Sequence, residues 1–221
     1  MKEFPSVPSW KERAHFGAPC YVFEKFDGSN LRFEWRRKKG FYKYGTRNRL
    51  FGVDEAPFNQ ALPIFLTPGM AGMIEERMTR WYKGIQEFTV YCEFFGQSSF
   101  AGTHDLEEPK HLKLLDIWRH QKGFIPPAEL CSMWPRRFDE MTTWQPEILY
   151  RGNLNQVLVD AVRDNVLMVG SGEHVQHFPL NEGIVCKGTD RRGQVWMAKV
   201  KTNHWLDRLK NKYGDDWVKY E

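Results

Sequence analysis

Apolar residues at every second position mark several segments of this chain as strands. Tyr21, Val22 and Phe23 are β-forming residues leading into Lys25, and Leu31, Phe33 and Trp35 alternate with polar partners just beyond it. Leu31 to Trp35, a turn around Lys38-Lys39-Gly40, and Phe41 to Tyr44 predict a hairpin. Phe88, Val90, Cys92 and Phe94 keep the same period, and Leu112 to Trp118 is a further apolar run read as a strand. Two more strands bracket Asp190-Arg191-Arg192-Gly193. Helical spacing is rarer. Met73 to Tyr82 predicts a short helix with acids first and an arginine near its end, and Ala128 to Met133 one helical turn. Leu154, Val157, Leu158, Ala161 and Val162 predict an amphipathic helix over 154–165, and Trp205, Leu206, Leu209 and Tyr213 form the stripe of a final helix at about 203–213. Residues 54–69, rich in Pro and Gly, are expected to be loop, and Pro126-Pro127, Pro135 and Pro146 punctuate the middle. Strands outnumber helices and hairpins are local, so the expected fold is α+β, antiparallel sheets with flanking helices.

Composition narrows the classes. A chain of 221 residues with 41% hydrophobic content, 16 Phe and 9 Trp has ample material for one large domain, and 1–221 is read as one. The 32 basic against 28 acidic residues leave a net +4, which suits a polyanion without demanding one. Cys20, Cys92, Cys131 and Cys186 form no CxxC pair and read as buried thiols of a reducing compartment. Apolar runs too short for a bilayer and an N-terminus without a signal-peptide core predict a cytoplasmic protein and no membrane partner. There is no GxxxxGK or GxGxxG, so a phosphate-cradling glycine loop is not expected.

The chemistry concentrates in Lys25-Phe26-Asp27-Gly28-Ser29-Asn30. A lysine between apolar strand and a glycine turn can sit in a partly dry pocket, where its pKa falls from about 10 toward neutrality and the amine becomes a nucleophile. The plainer reading is a hairpin turning at Asp27-Gly28 with a solvated lysine. In the last strand Val195, Met197, Lys199 and Lys201 share one face, while Trp196, Ala198 and Val200 share the apolar other. Two ammonium groups aimed together suit an anion such as an α-phosphate; a solvated lysine ladder on an edge strand is the alternative. Glu93 shares a face with Tyr91 and Phe95, as an ion-pair partner or as a ligand for a ribose hydroxyl or metal. Glu182 and Lys187, five apart, fall on opposite faces of a regular strand, so a bulge or bend, with Gly183 the candidate, is needed if both reach one site. Clusters of positive charge occur at Arg36-Arg37-Lys38-Lys39 and on the final helix at Arg208, Lys210 and Lys212.

Five blocks occur in fixed order: the Lys25 block, Tyr44-Gly45-Thr46-Arg47, Val90 to Gly96, Glu182 to Lys187, and Met197 to Thr202. Together they resemble the covalent nucleotidyltransferases (DNA ligases, RNA ligases and mRNA capping guanylyltransferases). Glu24, Ser29-Asn30 and Trp205 to Lys210 make the type-2 RNA ligases the closer likeness. The resemblance implies an ATP-grasp-like nucleotidyltransferase ligase core with the nucleotide between two sheets. It implies an ATP-dependent RNA ligase of RNA repair, with Lys25 as the nucleophile that becomes lysyl-AMP and Lys199 and Lys201 on the nucleotide phosphate. Glu24 and Lys187 join the ATP-binding set. Glu93 is assigned to ribose or metal (Mg²⁺ or Mn²⁺), Glu182 to metal and lysine orientation, and Arg47, with Arg49 as alternative, to the nucleotide or the 5′-phosphate. Asn30 is assigned to the acceptor strand. Leu115 departs from the family, standing where an aromatic residue stacks on adenine. The chain ends twenty residues past Lys201, so no OB domain is expected and an accessory protein would supply a second domain. The expected partners are RNA strand ends, with DNA or hybrid ends still open. A minimal DNA ligase, a GTP-using capping enzyme and a non-catalytic nucleic-acid-binding relative are the alternatives.

Overall fold

The structure is a computed structural model that describes residues 2–66, 69–134, 144–145, 147–170 and 174–220; Pro135 and Pro146 lie outside them. In chain order the elements are β1 (Pro19–Lys25), β2 (Ser29–Arg36), β3 (Gly40–Thr46), α1 (Ala61–Leu66), α2 (Met70–Trp81), β4 (Glu87–Phe95), β5 (His111–Arg119), β6 (Gly123–Phe124), α3 (Pro127–Ser132), β7 (Ile148–Asn153), α4 (Gln156–Arg163), β8 (Met168–Val169), β9 (Gln176–His177), β10 (Gly183–Thr189), β11 (Val195–Lys201) and α5 (Asn203–Tyr213). The fold is α+β with antiparallel sheets, as the alternation predicts. The chain forms two compact units: Met1–Pro5, Gly28–Ile125 and Glu129–Pro146 make the first, and Ser6–Asp27, Pro126–Ala128 and Glu147–Glu221 the second.

The first unit is built on a five-stranded sheet of order β3-β2-β4-β5-β6. Leu31, Phe33 and Trp35 of β2 and Phe88, Val90, Cys92 and Phe94 of β4 pack on Leu112, Leu114 and Ile117 of β5 and on Phe65, Ile74 and Met78 of the helices. Period-2 alternation therefore sends Asn30, Arg32, Glu34 and Arg36 to the opposite, polar face. The same face carries Tyr91 and Glu93. Residues 54–69 depart from the expected loop: α1 occupies 61–66 and buries Ala61, Leu62 and Phe65. Pro63 is tolerated there because it lies in the first turn, where N–H groups lack intrahelical partners anyway. Phe4 is buried against Tyr91 and Phe124 at 5.0 and 5.8 Å between ring centres.

The second unit is built on a four-stranded antiparallel sheet of order β11-β10-β1-β7. Its apolar face combines Cys20 and Val22, Ile184 and Cys186, and Trp196, Ala198 and Val200 with Leu158, Val159 and Val162 of α4. Asn155 caps α4, its side-chain oxygen accepting from the Leu158 N–H at 3.0 Å. The buried stripe is rotated from the expected one. Val157 is 77% exposed and Val159 fully buried, because 157 lies about 200° around the helix from 159. Strand β7 was not among the expected elements; its apolar content is a short Ile-Leu-Tyr run before Arg151-Gly152. None of the four cysteines forms a disulfide; Cys20, Cys92 and Cys186 are buried and Cys131 is only partly so. Among the described residues no helix is long and apolar enough to cross a membrane.

Lys25 and the glycine turn after it are not a hairpin. β1 pairs with β10 and β7, whereas β2 pairs with β3 and β4. A Cβ on Gly28 would lie 2.3 Å from the Phe94 carbonyl oxygen, so this position must be glycine for the chain to run so close to β4.

Gly183 has φ +151°, and a Cβ there would stand 2.1 Å from the Val200 carbonyl oxygen. Gly193 has φ +76° with open space around it. Gly193→Ala is expected to cost about 1–2 kcal/mol of backbone strain alone. Gly183→Ala adds displacement of β11 and is expected to cost about 3 kcal/mol or more. Denaturant unfolding of both variants checks this; equal losses would mean that the close approach at Gly183 carries no energy.

Candidate active site

Pairing register places the candidate lysines. Lys25, Gly183 and Lys201 form one row across β1, β10 and β11; Phe23, Val185 and Lys199 form the next, and Tyr21, Lys187 and Met197 the third. All nine lie on the face opposite the apolar core, so Lys25, Lys187, Lys199 and Lys201 share one face of one sheet. Between Lys25 and Lys201 stands a glycine, which leaves room for their side chains to converge.

They converge on Glu182. Its Oε2 accepts from Lys25 Nζ at 2.7 Å and its Oε1 pairs with Lys201 Nζ at 3.1 Å. Glu182 is not inside the strand but in the bend directly before it, and the left-handed Gly183 follows. That bend resolves the parity conflict: Glu182 and Lys187 need not alternate as in a continuous strand. The Lys25 side chain is 23% exposed, those of Glu182 and Lys201 only 4% and 5%. Of the two lysines on Glu182, the candidate nucleophile Lys25 is therefore the more exposed.

The chain of contacts continues through α5. Thr202 caps this helix, its hydroxyl accepting from the Trp205 N–H at 3.1 Å. The cap turns the Trp205 ring under Lys201, whose Nζ lies 3.8 Å from the ring centre. Trp205 Nε1 donates to Asp27 Oδ2 at 2.6 Å. Lys25, Glu182, Lys201, Trp205 and Asp27 are therefore one connected cluster. Burial lowers the Lys201 pKa to about 8; Lys25 and Lys199 push it the same way, and Glu182 opposes them. The outer edge of β11 is covered, because the Lys199 N–H donates to the Pro8 carbonyl at 2.8 Å. Both the buried Lys201 and this covered edge rule out a solvated lysine ladder. Lys187 is 4% exposed, with its Nζ 4.8 Å from the Phe23 ring centre. Glu24 alternates onto the side of Cys20 and Val22, away from the lysine face.

The remaining candidates belong to the first unit. Asn30 and Glu93 are direct cross-strand partners on its polar face, and both amide atoms of Asn30 are buried without a hydrogen-bond partner among the described residues. Such an orphaned amide is the expected mark of a ligand-binding side chain. Ser29 is anchored by His104 at 2.8 Å. Arg47 is exposed at the end of β3, and its carbonyl accepts from the buried Arg32 at 3.2 Å. Arg49 is ion-paired with Glu55. Leu115 is the extra residue of a bulge in β5, where the pairing shifts between Tyr91 and Cys92. Among the described residues no group of three His, Cys, Asp or Glu side chains is placed to hold a metal ion. The sequence reading missed the bridging roles of Trp205 and Arg32. For Arg32 a signal existed, an arginine at a polar position of an alternating strand; for the Trp205–Asp27 bond there was none.

An α+β core of antiparallel sheets carrying this lysine cluster is of nucleotidyltransferase type. The RNA ligase family model matches residues 18–206, and the chain belongs to that family. No curated relative matches the sequence. Among solved structures, the Naegleria gruberi RNA ligase with PPi is similar with a TM-score of 0.61 at 17% identity over 96% of this chain and 58% of that one. A mutant of the same ligase with ATP and Mn gives 0.61 at 16% identity over 94% and 58%. Another, with AMP and Mn, gives 0.59 at 16% identity over the same shares. This chain thus spans under two thirds of the ligase it resembles.

The lowered Lys201 pKa has a consequence for stability. Between about 8 and the unfolded value near 10.4 the unfolded chain binds more protons than the native one, so stability rises with pH through that window. The cost of burying the ammonium is present in full below pH 8 and is relieved toward pH 10.4. Relative to Lys201→Met, the wild-type protein is expected to gain on the order of 3 kcal/mol between pH 7.5 and 10.5. Parallel stability profiles in urea would contradict this.

Proposed function

We propose that the chain is the adenylyltransferase core of an ATP-dependent RNA ligase. The observation that carries the reading is the Lys25–Glu182–Lys201 bridge: a partly exposed lysine held by a buried carboxylate, with further lysines on the same sheet face. The family match supports it, and so does the similarity to a ligase whose structures contain ATP, AMP, PPi and Mn.

In the proposed reaction Lys25 Nζ, freed of its proton, attacks the α-phosphorus of ATP. The N–P bond forms as the bond to the β-phosphate oxygen breaks, and pyrophosphate leaves. Lys199 and Lys201 stabilise charge on the α-phosphate, and Glu182 orients the two lysines. An RNA 5′-phosphate oxygen then attacks the same phosphorus and Lys25 regains a proton as the N–P bond breaks. The terminal 3′-hydroxyl attacks the activated 5′-phosphorus, loses its proton and expels AMP. Glu93 and Glu182 are each assigned to metal, since carboxylate oxygens are the hard donors that Mg²⁺ or Mn²⁺ takes; a bound ion would offset phosphate charge. Arg47 is assigned to the 5′-phosphate or nucleotide, Arg49 being held by Glu55. Asn30 is assigned to the acceptor ribose, Lys187 to ATP, and Leu115 to the adenine, where it gives up an aromatic stacking contribution of about 1 kcal/mol.

Incubation with labelled ATP and metal is expected to leave label on the denatured protein, and Lys25→Ala and Lys25→Arg to abolish it, since guanidinium stays protonated. Label retained by Lys25→Ala, or deposited from GTP in place of ATP, would overturn the reading. Lys199→Ala or Lys201→Ala is expected to slow the step by on the order of 10²-fold.

Joining is expected to favour an RNA 3′-hydroxyl over a DNA one on otherwise matched nicks. Equal or faster sealing of all-DNA nicks would exclude the RNA assignment for the acceptor side.

A further inference from the structure

Six residues along β2 from Asn30, about 20 Å at strand rise, the first unit gathers a second polar surface that the ligase reading leaves unused. Three chain turns meet there: the Arg37 N–H donates to the Gln86 carbonyl at 2.9 Å, and the His120 N–H to the Glu87 carbonyl at 3.3 Å. Two cavities open at this end of the sheet, of about 490 and 370 Å³, and Glu87 and His120 line both. The larger has Tyr82 with Lys83, Arg119 and Lys122 in its wall. The smaller has Tyr42 and Trp118 with Lys2, Arg36 and Lys43.

The geometry around Tyr42 is specific. Tyr42 is the extra residue where the β2–β3 register shifts between Glu34 and Trp35, and a bulge re-aims the side chain it carries. Arg36, Lys39 and Lys43 all lie about its ring, at 5.5, 5.3 and 5.4 Å from the centre. Arg119 lies 4.3 Å from the Tyr82 ring centre. Three like charges around one ring repel, and an anionic ligand relieves that repulsion. Arg37, Lys38 and Lys39 extend the charge along the exposed turn. Among the described residues the carboxylates lining these cavities are Glu34 and Glu87. Glu87 is paired with Arg36 at 2.6 Å. In the same region Glu34 Oε1, Arg36 Nε and Arg119 Nε are buried without hydrogen-bond partners among the described residues.

We infer that this end of the first unit binds single-stranded RNA, with phosphates on the cations and unstacked bases against Tyr42 and Trp118. The basic turn satisfies the phosphates, and the rings offer stacking platforms. A paired duplex keeps its base faces stacked inside and leaves the rings unused. The inference rests on the ligase reading only for its role, which is to hold the strand about 20 Å from the end being joined.

The test uses the full chain and a fluorescent single-stranded oligoribonucleotide with a 5′-hydroxyl, which binds without entering the reaction. Arg37→Ala/Lys38→Ala/Lys39→Ala is expected to reduce the slope of log affinity against log salt by about 2, at roughly 0.7 per phosphate contact on a single strand. Tyr42→Ala is expected to weaken binding by about tenfold. Label transfer from ATP to Lys25 in the absence of RNA should be unchanged in both. An unchanged slope and affinity would overturn the inference, and so would an equal loss on a duplex of the same length. If wild-type protein takes no label from ATP while both variants still lose single-strand binding, the ligase reading falls and the RNA surface stands.

Discussion

The carboxylate of Glu182 sets the geometry of the lysine face, because its two oxygens hold Lys25 and Lys201 from the strands on either side of the one it precedes. Two ammonium groups this close, one of them almost wholly buried, repel each other; the carboxylate between them offsets both that repulsion and part of their desolvation. Removing one partner from such a buried arrangement costs about 3–5 kcal/mol, since a charge is left without its counter-ion. The backbone serves this contact. Gly183 leaves space between the lysines, its left-handed conformation aims Glu182, and Thr202 caps the helix that brings Trp205 under Lys201.

The first unit solves a different problem. Its polar sheet face carries Asn30, Arg32, Glu34 and Glu93 across from a core of aromatic rings, so buried polar atoms have to be satisfied locally or by a ligand. Arg32 meets the Arg47 carbonyl and fixes the turn that presents the Arg47 side chain to solvent. The Asn30 side-chain amide finds no hydrogen-bond partner within the described residues, a deficit that water or a ligand can make good.

Much of this was legible in the sequence wherever period-2 alternation held. The split of β11 into Val195-Met197-Lys199-Lys201 and Trp196-Ala198-Val200, the core face of β4, and the helix at 203–213 follow from pattern alone. Three things were not. Proline density hid α1, since a first-turn proline and a loop proline look alike without their neighbours. Parity alone could not place Glu182, because it presumes a continuous strand; the residue lies one position before it, in a bend of the kind that Gly183 suggested. The partner of Lys25 lies 157 residues away, and no local pattern encodes such a pairing; only the order of the five blocks pointed to it. The wrapped ring of Tyr42 was hidden for a similar reason, since a bulge is one residue of misregister and leaves no compositional trace.

The cluster's charge arithmetic also suits the proposed chemistry across its steps. Before attack, Glu182 lies between two ammonium groups. Once the Lys25 nitrogen is bonded to phosphorus it no longer carries an ammonium charge, and Glu182 keeps Lys201 as its partner. The anionic phosphate then joined to Lys25 needs cations of its own, and Lys199 and Lys201 lie on the same sheet face to supply them. Lys201, with its pKa lowered to about 8, is still protonated at neutral pH but only weakly committed to its charge. A phosphate beside it favours the ammonium form, so nucleotide binding would stabilise a charge that burial otherwise makes costly. That coupling makes the buried lysine a responder to the phosphate as well as its counter-ion.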